Sequence, residues 1–181
     1  MNLLETQTVQ DLAQRAIKMI YLSLDQALQT TGYAIFDEDS LIEYGHFTIP
    51  ANKKIEVRLN AIMQELSELE NRFEFQDVFF EDIQAQQNKE TYKKLAYVQA
   101  AVLIWCYNTE HKTTILAPSH WRSVLKNKYK ISFGKARQEQ KKAAQELVRQ
   151  RFGIQASEDE CDAICIGLAG IQERKQTTSA F

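Results

Sequence analysis

Three stretches of the chain place acid where packing would prefer a hydrophobe. Asp25 closes the apolar run that begins at Ile20, Glu81 interrupts Val78-Phe79-Phe80-Glu81-Asp82-Ile83, and Asp159 and Asp162 stand three residues apart near the end of the chain. On a helix, a spacing of three puts the last two on one face. An ionised carboxylate near a sheet interior is costly unless it is paired or bound to a cation. Several such groups converging would repel one another, and a divalent metal removes that repulsion. An all-oxygen set of this kind suits Mg²⁺ or Mn²⁺ rather than zinc. Each acid also has a plainer role open to it: Asp25 at a turn, Glu81 in a pair with a lysine, and Glu158-Asp159-Glu160 at the positive end of a helix dipole. Their joint occurrence strengthens the metal reading, but spacing alone does not establish convergence.

The elements around these acids follow from hydrophobic period. Ile20–Asp25, Thr31–Phe36 and Leu41–Ile49 read as three closely spaced strands, an antiparallel meander, with the turn Asp37-Glu38-Asp39-Ser40 between the last two. Ile55, Leu59, Ile62, Met63, Leu66 and Leu69 then mark a helix ending near Arg72. Val78–Ile83 is a buried strand, Lys89–Asn108 a long helix and Thr113–Ala117 a strand stopped by Pro118. Ser119–Leu125 reads as a short helix, and Ala136–Phe152 as a helix stopped by Gly153. Ser157 with Glu160 forms a capping-box pattern that opens a last helix running to about Arg174. This order predicts an α/β fold, a mixed five-stranded sheet with its first three strands antiparallel, flanked by helices. The expected organisation is an amphipathic helical appendage at 1–18, one domain over 19–175 and a flexible tail over 176–181.

Composition excludes several classes. The chain has 181 residues, 44% hydrophobic and 25% charged, as an ordinary globular protein does. No window supports a membrane span, and the N-terminal residues lack an apolar signal core. The odd count of three cysteines suggests a reducing compartment, so the expected location is the cytoplasm. No glycine-rich loop supports a nucleotide cofactor. The net charge is −2, yet Arg122–Arg151 holds ten basic residues against Glu139 and Glu146. That stretch is either a solvated lysine-rich face or a phosphate-binding stripe on an acidic body. His46, His111 and His120 lack ligand spacing, and Cys161, Cys165, Trp105 and Trp121 read as packing residues.

The acidic motifs resemble those of a known family. Tyr21-Leu22-Ser23-Leu24-Asp25 with Thr31-Gly32-Tyr33-Ala34-Ile35 resembles the opening of RuvC-type Holliday-junction resolvases. Val78-Phe79-Phe80-Glu81-Asp82 resembles their second acidic strand. Asp159-Glu160-Cys161-Asp162-Ala163-Ile164, running into Gly167-Leu168-Ala169, resembles their closing helix. The similarity covers roughly residues 19–172, in order. It implies an RNase H-like fold, Asp25, Glu81, Asp159 and Asp162 as metal-binding catalytic acids, and Lys141 as the active-site lysine. It further implies two Mg²⁺ ions per site, with Mn²⁺ able to substitute, and a homodimer that cuts branched DNA as paired nicks with 5′-phosphate and 3′-hydroxyl ends. The basic stretch would then face phosphate through Arg122, Lys126, Lys128, Lys130, Lys135, Arg137 and Lys142.

The chain also departs from the family pattern. Asp25-Gln26-Ala27 stands where the family commonly has Asp-Pro-Gly, and Gln84 stands where an aromatic wedge is usual, with Tyr92 a candidate replacement. With the acidic body, these departures point to a bacteriophage-type branch with a broader preference for branched DNA. The rival readings are an RNase H-like nuclease acting on RNA or RNA·DNA hybrids and a non-catalytic junction-binding protein.

Overall fold

In the computed structural model, which describes residues 19–84 and 88–178, the chain opens with the expected meander. Strands β1 (Ile20–Asp25), β2 (Thr30–Asp37) and β3 (Ser40–Thr48) are followed by helix α1 (Ile55–Phe73), β4 (Asp77–Glu81) and α2 (Lys89–Asn108). Then come β5 (Lys112–Leu116), α3 (Pro118–Tyr129), α4 (Arg137–Phe152) and α5 (Glu158–Thr178). The sheet order is β3-β2-β1-β4-β5, antiparallel through β3, β2 and β1 and parallel through β1, β4 and β5. The expected appendage at 1–18 and the last residues of the tail, 179–181, lie outside the described residues.

Alternation along the strands divides the core in two. Ile20, Leu22 and Leu24 join Val78 and Phe80 on one face, against Ile62 and Leu66 of α1 and Val98 and Val102 of α2. Tyr21 and Phe79 point to the other face, towards Ile164 and Leu168 of α5, with Leu125 of α3 and Leu147 of α4 completing that layer. Because Asp25 and Glu81 continue the odd-numbered series of their strands, the same alternation turns them towards α5.

Helix α5 is buried on every side from Cys161 to Ile171, the pattern of a helix enclosed between a sheet and other helices. It runs against the direction of β1 and β4, and several contacts fix that path. The Ser23 hydroxyl lies 2.8 Å from the Ala163 carbonyl and 3.3 Å from that of Ala34, tying helix to strand at a fully buried position. At the far end, Arg174 Nε donates to Asp77 at 2.8 Å. Between them the absence of a Cβ permits close approach: a methyl on Gly167 would stand 2.3 Å from the Phe36 ring, and one on Gly170 would stand 2.4 Å from that of Phe79.

Two helices outrun their expected lengths. Helix α3 continues past Leu125 because Tyr129 still packs on the core, and it stops where Lys130 turns left-handed at φ 58°. Helix α5 continues past Arg174 to Thr178, with Lys175 paired to Asp39 across the sheet edge. Strand β4 is shorter than expected and ends at Glu81, after which the Asp82 N–H still donates to the Leu116 carbonyl at 2.9 Å.

Gly32 is the least forgiving contact, since its Cβ would meet the Asp159 carbonyl at 2.2 Å, and backbone cannot rotate aside. Gly32→Ala is expected to cost roughly 1–3 kcal/mol, the range for overpacking, measured by urea unfolding. An unchanged midpoint would mean that α5 is not seated as described.

Candidate active site

The acids meet at the C-terminal ends of the parallel strands, where α/β sheets hold their ligands. Leu24 pairs with Phe80, so Asp25 and Glu81 lead off the next rung, side by side on strands about 4.8 Å apart. Helix α5 delivers Asp159 and Asp162 to the same edge because Gly32 lets its first turn lie against β2. The expected capping box is formed: Glu160 Oε2 accepts from the Ser157 N–H at 2.7 Å, and Ser157 Oγ accepts from the Glu160 N–H at 3.3 Å. His46 of β3 adds a 2.8 Å contact to Glu160. The positive end of α5 therefore faces the four carboxylates.

Their mutual field is strong. The Asp25 carboxyl is pushed from an ordinary 3.8 up to about 8, first by burial, then by the Asp162 and Glu81 carboxylates, with Asp159 adding to them and Lys141 opposing. Burial also raises Glu81 and Asp162. Lys141, from the second turn of α4, pairs directly with Asp162. Burial works against its charge, but the Asp162, Asp25 and Asp159 carboxylates hold its pKa above the ordinary value. Among the described residues, no three acidic, histidine or cysteine side chains are drawn tightly enough around one point to hold an ion as they stand. The protein's own donors take up the charge instead.

Glu81 is held on several sides. The indole N–H of Trp121 donates to Glu81 Oε1 at 2.7 Å, and Arg122 Nη2 lies 3.8 Å from the same oxygen. The Arg122 guanidinium lies over the Trp121 ring, 4.3 Å from its centroid. Gln26 donates its side-chain amide to the Glu81 carbonyl. Sequence reading had no means of assigning these bonds. Trp121 is a packing residue as expected, buried with its ring edge-on to Phe133, yet its one polar atom serves the site. The Gln26 departure from the family pattern was visible, but its cross-strand bond was not.

The basic stretch does not form one surface. Arg122 and Lys141 turn inward to the acids. Arg137 lies one turn before Lys141 on α4 and is exposed, as are Lys135 and Lys142. Lys142 lines a groove with Arg149, Gln155 and Cys161 beside the start of α5. Lys126, Lys128 and Lys130 are also exposed, but Lys128 lines a different groove with Gln172 and Glu173, roughly 15 Å along α5 from Asp162. Gln84 is exposed just beyond β4, and Tyr92 is 41% exposed on the first turn of α2.

A mixed sheet with acids at the ends of β1 and β4 and at the start of the closing helix defines an RNase H-like nuclease. The family described as crossover junction endodeoxyribonuclease RuvC matches residues 21–169, and the chain belongs to that family. Its enzymes are junction-resolving endonucleases, which is the class of this chain. Curated relatives from Dictyoglomus thermophilum and Dictyoglomus turgidum, both described as crossover junction endodeoxyribonuclease RuvC, are 23% and 24% identical over 161 residues, 87% of this chain and 99% of each relative. The Thermus thermophilus RuvC structure in complex with Holliday junction substrate is 16% identical, covers 87% of this chain and 96% of that one, and superposes with a TM-score of 0.71. The yeast mitochondrial Holliday junction resolvase reaches 0.61 at 13% identity, over 90% of this chain and 81% of that one. At these identities the solved structures speak to fold alone.

The raised Asp25 pKa has a consequence for stability. The unfolded carboxyl ionises near 3.8 and the folded one near 8, so the folded state loses stability as pH rises between those values. Asp25→Asn removes that loss. In EDTA the variant is expected to overtake wild type between pH 4 and 8 and to lead by at least about 1 kcal/mol at pH 9, read by chemical denaturation. A difference that does not grow with pH would contradict the convergence of charge on Asp25.

Proposed function

We propose that the chain is a divalent-metal-dependent endonuclease that resolves four-way DNA junctions, and other branched DNA, by paired nicks leaving 5′-phosphate and 3′-hydroxyl ends. The observation that carries this reading is the convergence of Asp25, Glu81, Asp159 and Asp162 with Lys141, where burial and then the neighbouring carboxylates push the Asp25 carboxyl up to about 8. The fit to hard cations follows from that crowding: the set is all oxygen, and its repulsion is what added positive charge would relieve. These four acids would hold two Mg²⁺ ions, with Mn²⁺ as substitute. When bound, such ions supply an acidified attacking water and a counter-charge for the departing 3′ oxygen.

The chain's own groups would do the rest. Lys141 stands beside Asp162 as a half-buried ammonium that can turn to a phosphate oxygen, and Arg122 stands beside Glu81. Lys135, Arg137 and Lys142 would bind backbone phosphate near the cut. Lys126, Lys128 and Lys130 would meet a more distant arm. Membership of a family described as crossover junction endodeoxyribonuclease supports this assignment of partner. Gln84, in place of an aromatic, supports a broad preference for branched DNA. Along α2, Tyr97, Ile104 and Tyr107 are 41%, 58% and 82% exposed at helical spacing, an apolar stripe suited to a second copy of the chain and hence to paired cuts. The free thiols Cys106, Cys161 and Cys165 suit a cytoplasmic setting.

The test is cleavage of a labelled four-way junction against matched linear duplex, with Mg²⁺ and with EDTA. Symmetric paired nicks that require metal are expected on the junction alone. Asp25→Asn should lose cutting by more than the roughly 10–100-fold that loss of a ligand's supporting bond costs, while binding the junction at least as tightly. Normal cutting by that variant, or preference for an RNA·DNA hybrid, would overturn the reading.

A further inference from the structure

Resting on the metal-centre reading above, we propose that Trp121 is a positioning residue that selects which oxygen of Glu81 faces the reaction. The chain path requires the contact. β4 and β5 run parallel with Glu81 opposite Leu116, and α3 starts two residues later with Pro118 as its first helical residue. The first turn of α3 therefore rises directly over the end of β4 and carries Trp121 to the Glu81 side chain. The indole is 1% exposed, fixed edge-on against Phe133 at a centroid distance of 5.4 Å, and covered by the Arg122 guanidinium. It has one donor and no acceptor, and that donor lies 2.7 Å from Glu81 Oε1.

A rigid N–H on one carboxylate oxygen sets the plane of the group and leaves the other oxygen, Oε2, free for a cation. The main chain of Glu81 is pinned as well, by the Gln26 amide on its carbonyl. Glu81 is thus held at both its backbone and one carboxylate oxygen by two neighbours, Gln26 and Trp121. Such supporting bonds commonly govern metal affinity. A purely packing role for Trp121 would be satisfied by any ring that fills the space beside Phe133 and Leu125.

The test separates the ring from its N–H. Trp121→Phe keeps an aromatic core residue, and replacement of Trp121 by benzothienylalanine swaps the indole N–H for sulfur with the bicyclic shape retained. Mn²⁺ binding to the DNA-free dialysed protein is titrated by electron paramagnetic resonance, with Glu81→Gln as reference. Both Trp121 variants are expected to bind Mn²⁺ about tenfold or more weakly. Their kcat on junction should fall with KM for DNA unchanged, and their melting temperature in EDTA should stay within a few degrees for the benzothienyl form. Wild-type Mn²⁺ affinity in the benzothienyl form would overturn the role of Trp121 alone. No Mn²⁺ binding by wild type would overturn the metal centre, and the role of Trp121 with it.

Discussion

Four carboxyl groups gathered at one edge of a sheet, which repel one another when ionised, are the constraint on which this structure turns. Left uncompensated they would drive that edge apart, since buried carboxylates interact through a medium that screens them poorly. The protein answers with charges and dipoles of its own. Lys141 sits on Asp162, the first turn of α3 lays Trp121 and Arg122 on Glu81, and the positive end of α5 faces the group. Asp25 feels Lys141 only through space, and burial together with the Asp162 and Glu81 carboxylates raises its carboxyl to about 8. A site of this kind is held together by its own donors and is still short of positive charge, which is the condition for attracting cations.

The rest of the fold follows from delivering those acids to one place. Two parallel strands in register bring Asp25 and Glu81 to neighbouring positions, and strand alternation turns both to the same face. Helix α5 must then lie very close to the sheet to add its pair. Gly32, Gly167 and Gly170 remove the side chains that would hold it off, and Ser23 and Arg174 pin its two ends. The burial of α5 on every side is therefore a consequence of its position between the sheet and α3 and α4.

Much of this was legible in the sequence because it depends on local signals. Short apolar runs between turn signals located all five strands, and the acids at Asp25 and Glu81 marked the site. The Ser157–Glu160 box fixed the start of α5 to within a residue. What could not be read depends on how distant elements cross. A count of basic residues gives one +8 segment, whereas the helix axes divide it into inward Arg122 and Lys141, exposed groups near the site and a separate cluster around Lys128. Trp121 reads as core by composition, and only the placement of α3 over β4 gives its N–H a carboxylate to meet. The far ends of α3 and α5 were missed for a simpler reason: their last turns are largely polar, and Tyr129 packing on the core and the Lys175–Asp39 pair are contacts with distant parts of the chain.

Whether the four acids form one cation-binding centre is decided by anomalous diffraction from crystals of the protein soaked in Mn²⁺. Manganese peaks are expected between Asp25, Glu81, Asp159 and Asp162, with Lys141 displaced from Asp162. Manganese bound elsewhere, with those carboxylates and the Lys141 pair undisturbed, would contradict such a centre.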